Sequence, residues 1–338
     1  MKRGRLLLLV LVLGVVSLVS LMLGKYRLGL AETVSFLGKA CLGLPAADTD
    51  RQALLENVLL QIRLPRVLAA MLIGAALSTV GTSLQAVFTN PLVSPKTMGM
   101  LAGASFGTVL GVLVADSWWA CQALALVFGF AAVGLAVAIA NMCRAESILM
   151  LVLGGIASDA LFMALSMTAQ FVADPYTKLP VIVHWLMGNL ALAQRNTVLW
   201  AAIPMVLGTS LLCLFGRQLN ALSMGEDEAR ALGISVRWVR LSILLLSTLL
   251  TSLTVMLGGG SMVGWVGLIM PHAARMLIGP NNVVLLPASA LMGAIYLIVM
   301  DDISRLAFSF ELPIGVITSL VGIPFFIWVL KDARKGWA

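Results

Sequence analysis

Charge is scarce in this chain. Only 11% of its 338 residues are Asp, Glu, Lys or Arg, while 60% are hydrophobic, and the mean hydropathy is +1.03. A soluble domain carries roughly twice that share of charge, so the composition excludes the soluble globular class. Histidine is limited to His184 and His272, which argues against a histidine metal site. Cys41, Cys121, Cys143 and Cys213 lie far apart and form no CxxC pair, so no metal cluster, redox motif or cofactor is expected. No G-x-x-x-x-G-K-[ST] occurs, so the chain holds no ATP in a phosphate-binding loop. No Ser-His-Asp or metal-ligand set suggests an enzyme. The net charge of +7 is scattered over loops rather than gathered in a stripe, which gives no case for nucleic acid.

What remains is an all-α polytopic membrane protein. The run Leu6–Leu23, behind a basic start, is close to the ~20 residues that span a bilayer and reads as a retained first span. A loop from Lys25 to Asn57 follows. Further spans are expected near 65–88, 97–115, 120–142, 148–172, 196–215, 241–257, 283–300 and 312–330. Asn90–Lys96 carries two prolines and cannot continue a helix. Leu179–Leu192 is apolar but too short to cross, so it reads as a half-span helix. Met262–Met270 sits between a triple glycine and Pro271 and reads as a broken helix. The total is about ten crossings. A modest excess of Lys and Arg puts both termini, and the polar island described next, on the cytoplasmic side.

The island, Arg217–Arg240, is the longest charged segment of the second half. Leu219, Leu222, Ala229 and Leu232 recur near helical spacing, with Gly225 and Gly233 as breaks. This predicts two short surface helices. A docking knob for a soluble partner and a solvated connecting loop both fit. Gly99, Gly103 and Gly107 form a doubled GxxxG, a packing row. Asp159, inside an apolar span, must face protein or a water-filled path. Either a pathway or proton site, or a neutral hydrogen-bonded acid at a helix contact, satisfies that. Asp301 and Asp302 fall at a span end, where solvation would account for them.

Three stretches carry a resemblance: IRLPRVLAAMLIGAALSTVGTSLQAVFTNPL from Ile62, GWVGLIMPHAARMLIGP from Gly264 and ELPIGVITSLVGIPFFIWVL from Glu311. With the island LNALSMGEDEARALGISV, they resemble the cobalamin and iron-chelate permease family of ATP-binding-cassette importers, over nearly the whole chain. The resemblance implies the type II importer permease fold. It implies one permease domain over 1–338 with coupling helices at 217–240, about ten spans per subunit, and residence in the cell inner membrane. It implies a homodimer, two ATPase subunits below and a substrate-binding protein above. By position, Arg63, Arg66 and Arg305 match the arginines that dock the binding protein. Leu219, Leu222, Gly225, Glu226, Glu228, Ala229, Leu232 and Gly233 match the ATPase socket. Asn90, Pro91 and Leu92 match one inner gate element, and Glu146 and Ser147 the other. Asp159 falls in the pathway region. The cargo implied is an iron chelate (siderophore or haem) or cobalamin. A molybdate or tungstate oxyanion is the alternative within the family, and a proton-coupled secondary transporter the alternative of another class.

Overall fold

The computed structural model of the chain describes residues 2–24, 26, 28–41, 50–115, 117–142, 148–260 and 262–333. Every element among them is helical: α1 (Lys2–Met22), α2 (Leu30–Cys41), α3 (Asp50–Glu56), α4 (Leu64–Val87), α5 (Met100–Val114), α6 (Trp118–Met142), α7 (Ile148–Val172), α8 (Lys178–Met187), α9 (Arg195–Leu214), α10 (Gly216–Leu222), α11 (Glu226–Ala231), α12 (Val236–Thr254), α13 (Val266–Ile278), α14 (Asn282–Leu306) and α15 (Ile314–Ala333). Seven helical stretches are long and apolar enough to cross a membrane. Four shorter apolar helices accompany them: α5, α8, Met262–Ile278 and the Ile314–Ile327 part of α15.

Because lipid-facing and protein-facing surfaces are equally apolar, small residues decide which face packs. On α6 the buried positions include Ala125, Gly129, Ala132, Ala136 and Ala140, a small residue at every third or fourth place. Gly103 and Gly107 of α5 lie against the backbone of α6 at Phe128 and Leu124. The third glycine of that row does something else. Gly99 takes a left-handed φ of 73°, ends the turn before α5 and packs on Ser158 and Asp159 of α7. At the centre stands α4, buried along most of its length. Its Gly74 meets Gly293 of α14 and its Gly81 meets Gly267 of α13, backbone against backbone.

Four boundaries depart from the sequence reading. The 25–57 connection contains α2 and α3, joined where Arg51 Nε meets Glu32 Oε1 at 2.7 Å. From α3 the chain runs through a π-helical turn, Asn57–Arg63, straight into α4. Helix α13 does not stop at Pro271 but continues to Ile278. Helix α14 extends to Leu306, so Asp301 and Asp302 lie within it and Asp301 is buried, not solvated.

The two ends of the bundle are distinguishable. At one, Arg5 Nη1 donates to Leu277 O at 2.6 Å and Asn220 Nδ2 donates to Asn281 Oδ1 at 3.0 Å. The start of α1, the island and the α13–α14 link therefore share this end. At the other, Arg63, Arg66, Asp301 and Arg305 gather with the end of α1.

Candidate functional site

Three interruptions of helical backbone meet inside the bundle. Helix α8 stops at Gly188, α12 passes through a π-turn at Val255–Gly259, and α15 starts only at Ile314. Such backbone leaves unpaired groups, which lipid cannot satisfy. Here the breaks satisfy one another: Asn189 N donates to Gly258 O at 2.9 Å, and Ile314 N donates to Gly188 O at 3.1 Å. The entry to α8 is fixed from outside the membrane segment. Asp174 Oδ1 accepts from the amides of Tyr176 and Thr177 and from the Thr177 hydroxyl. These bonds hold its carboxyl below the usual carboxylate range.

A fourth interruption is the proline segment. Leu92 N donates to Asn90 Oδ1 at 2.9 Å, making an Asx turn. Ser94 N donates to Thr97 Oγ1 at 2.8 Å and Thr97 N to Ser94 Oγ at 3.3 Å, a reciprocal pair. With its polar groups closed on themselves, the turn reaches the interior. Thr97 and Met98 pack on Gly155 of α7, and Pro95 packs on Gly267 of α13. Helix α5 accordingly starts well inside the bundle. Its 15 residues extend about 22 Å, short of the ~30 Å hydrocarbon core.

These interruptions frame a cavity of about 290 Å³ between α5, α7 and α8, with Met262 also in its wall. Its walls are mostly apolar, with Leu101, Met163, Met167, Leu186 and Met187 among them. The polar members are Lys96, Ser105, Asp159, Ser166 and Gln170. Ser166 Oγ is committed to Phe162 O at 2.8 Å, and Gln170 Nε2 to Ser166 O at 3.2 Å. Ser105 is buried and its hydroxyl has no partner among the described residues. Asp159 is half-buried, and Lys96, which is exposed, lines the same cavity. Asp159 thus stands in a cavity wall. The sequence marks Lys96 only as the end of the Asn90–Lys96 break, and the two prolines of that break are the one signal that the backbone there leaves the helical path.

The docking arginines require a correction. Arg63, Arg66 and Arg305 come together at one end as expected, but they are only 5%, 7% and 8% exposed and present no free basic patch. Arg66 Nε bonds both Asp301 oxygens at 3.0 Å, and its Nη1 reaches Glu311 at 2.8 Å. Arg305 pairs with Asp302 and lies 3.2 Å from Asp301. Arg63 donates to the carbonyls of Leu21, Met22 and Tyr26 at the end of α1. Of the two carboxylates that hydropathy placed at a span end, Asp301 is thus the counter-ion of Arg66, 235 residues away, and Asp302 that of Arg305 on the next turn of the same helix.

The island folds as two short helices, α10 and α11, as its pattern predicts. Leu219, Leu222 and Ala229 face inward and fix it to the bundle; Leu222 is 3% exposed, so it is no surface anchor. The exposed large apolar groups are Met224 at 69%, Leu232 at 65% and Trp238 at 67%. Gly225, at φ 138°, separates the helices beside the exposed Glu228, and Gly233, at φ 77°, ends the second. Glu226 pairs with Arg230 and Arg240. In the gate, Pro91 and Leu92 are exposed at the mouth of the proline turn. Glu146 and Ser147 lie outside the described residues.

Comparison with known proteins gives one consistent answer. A family model described as the FecCD transport family matches residues 9–332. The molybdate import system permease protein MolB of Haemophilus influenzae is 35% identical over 97% of this chain and 95% of its own. An iron chelatin transport system permease protein of Helicobacter pylori is 37% identical over 83% of this chain and 84% of its own. A solved structure described as a metal-chelate type ABC transporter in an inward-facing conformation superimposes with a TM-score of 0.85. It is 35% identical and covers 98% of this chain and 99% of that one.

Proposed function

The chain belongs to the FecCD transport family and is an ABC importer permease. From that premise we propose that it works as a homodimer in the cell inner membrane, with both termini cytoplasmic. A separate ATPase would sit under the island and a binding protein on the arginine end. The observation that carries this reading is the meeting of broken helices around one cavity. Family membership replaces the secondary-transporter alternative, so a proton site at Asp159 is no longer needed to supply energy.

The arginine end keeps its place as the docking end, with a changed role for its arginines. They tie α1, α4 and α14 together under the surface, and an approaching partner meets Glu311 first. On the island, Met224, Leu232 and Trp238 are apolar groups left for an ATPase, since buried apolar anchors tend to carry interface energy. Asn90, Pro91 and Leu92 keep the inner-gate assignment, because their turn leads directly to the cavity wall.

The cargo is proposed to be a metal-bearing solute, an iron chelate or a corrinoid, and the mostly apolar cavity wall suits such a ligand. A molybdate or tungstate oxyanion is the second reading. The MolB likeness favours it, extending over more of the chain than the iron chelatin likeness at similar identity. The test is reconstitution of the permease in liposomes with the ATPase and binding protein encoded beside it. Uptake that requires all three components and ATP supports the reading. Uptake by the permease alone, or ATP hydrolysis by the permease alone, overturns it.

A further inference from the structure

We propose that Lys96 is the cargo-contacting cation of the path, that Asp159 is its counter-ion while the path is empty, and that the cargo is therefore an anion. The proposal deepens the importer reading and rests on it. It goes beyond it by fixing the charge class of what is carried and the residues that sense that charge.

An unpaired ammonium that opens onto a cavity of a membrane bundle is free to serve a ligand. Lys96 makes no hydrogen bond or direct ion pair among the described residues, and its charge is exposed to the cavity. Asp159 stands in the wall of the same cavity, with no hydrogen bond or ion pair between the two among the described residues. Such a loose pair keeps the empty path near neutral and yields readily to a stronger anion. By contrast, the arginines of the opposite end are closed on their carboxylates at 2.8–3.0 Å. Those pairs hold structure, and the cavity pair is left open.

Two further donors converge on the same place. Helix α5 begins inside the bundle, so its positive N-terminal end, at Leu101 and Ala102, lines the cavity rather than bulk water. Discontinuous helices in transporters use such ends to face anionic groups. One turn further on, the buried Ser105 hydroxyl has no partner, an unmet polar group of the kind that a ligand satisfies. Of the uncommitted polar groups in the wall, then, a cation, a helix N-terminus and a hydroxyl donor favour an anion. Only Asp159 opposes one, and it is the group the cargo would displace from Lys96. A metal oxyanion and an anionic metal chelate share this chemistry. A neutral chelate does not exploit it.

The experiment uses the complete importer in liposomes. ATP-driven uptake is measured for radiolabelled molybdate and a ferric tris-catecholate as anions, and for a neutral ferric trihydroxamate and cyanocobalamin as probes without that net charge. One of the anions is expected to be carried. Lys96→Met should raise its half-saturating concentration by roughly tenfold or more, the loss of one charge-assisted contact. Lys96→Arg should restore most of that loss, and Asp159→Asn should shift half-saturation the other way. A merely structural lysine would not give opposite shifts for the two variants. Co-purification of the ATPase with each variant confirms assembly. Uptake of only the uncharged probes overturns the proposal. So does wild-type half-saturation in an assembled Lys96→Met importer. Absence of ATP-driven uptake of every probe by the wild-type importer would instead overturn the importer reading itself.

Discussion

Replacing Arg66 by alanine tests the claim that the arginine end is structural. Arg66 supplies the hydrogen bonds from a cation to Asp301, through Nε at 3.0 Å to each oxygen. Arg305 remains 3.2 Å away, but its Nε is not aligned for a hydrogen bond, so it offers charge without a donor. Asp301 is 1% exposed and cannot turn to water. Breaking a buried pair from one side costs about 3–5 kcal/mol. The residual charge of Arg305 puts Arg66→Ala near the lower bound, ~3 kcal/mol. The lost contact with the half-exposed Glu311 adds only ~0–1 kcal/mol. A loss of ~3 kcal/mol is a large part of the stability of most folds. The paired change Arg66→Met with Asp301→Leu removes both charges and keeps volume, so it should cost less than Arg66→Ala alone. The assay is unfolding in mixed micelles of increasing SDS content, followed by tryptophan fluorescence, for wild type, both single variants and the pair. Arg66→Ala within about 0.5 kcal/mol of wild type would refute the reasoning. The arginine would then be free to serve as the docking charge that the sequence alone suggested.

Three further outcomes follow from the geometry. Gly81→Val should abolish recovery of folded protein, because a β-carbon there would run into the Gly267 backbone of α13; a monodisperse size-exclusion peak at wild-type yield would show that the helices can part. On the island, Leu222→Asp should lower the yield of folded permease, since that side chain is buried. Leu232→Asp and Met224→Asp should fold normally and lose the ATPase on co-purification, and retention of the ATPase by both would leave the island a connecting loop. The depressed carboxyl of Asp174 contributes stability that is complete above its unfolded pKa and is lost as pH falls through the folded value; Asp174→Ala should therefore flatten the acid side of the stability–pH profile, and an unchanged profile would remove that role.

The crossings were legible because the bilayer demands long apolar helices, and composition alone reports those. The island was legible for the same reason inverted, a long charged stretch where lipid forbids one. The faces of the helices were less so. Helix α6 is apolar all round, and its packing side is marked only by the small residues Ala125, Gly129, Ala132, Ala136 and Ala140, which a hydropathy scan does not weigh. Hydropathy also ends a span at the first charge. It therefore cut α14 before Asp301 and treated Arg66 and Arg305 as surface charge, when the two signs neutralise each other inside the fold. Arg66 and Asp301 are 235 residues apart, so no window along the chain could have joined them, whereas Arg305 lies one helical turn from both acids.

The cavity failed to show for a related reason, and it leads to a general reading of charge in this chain. Lys96 and Asp159 were each visible, one assigned to a loop and the other to a span, and nothing local linked them. The link is the self-bonded proline turn that carries Lys96 inward to the level of Gly155 and Asp159 on α7. Interior charges here fall into two kinds by geometry. Those of the arginine end are closed on partners by short bonds and cannot serve a passing ligand without unfolding their surroundings. Those of the cavity are held apart, beside an unpartnered hydroxyl and the start of a helix, where a ligand could enter between them. In a protein whose lipid setting makes every interior charge costly, the open pair is the one whose retention calls for a function.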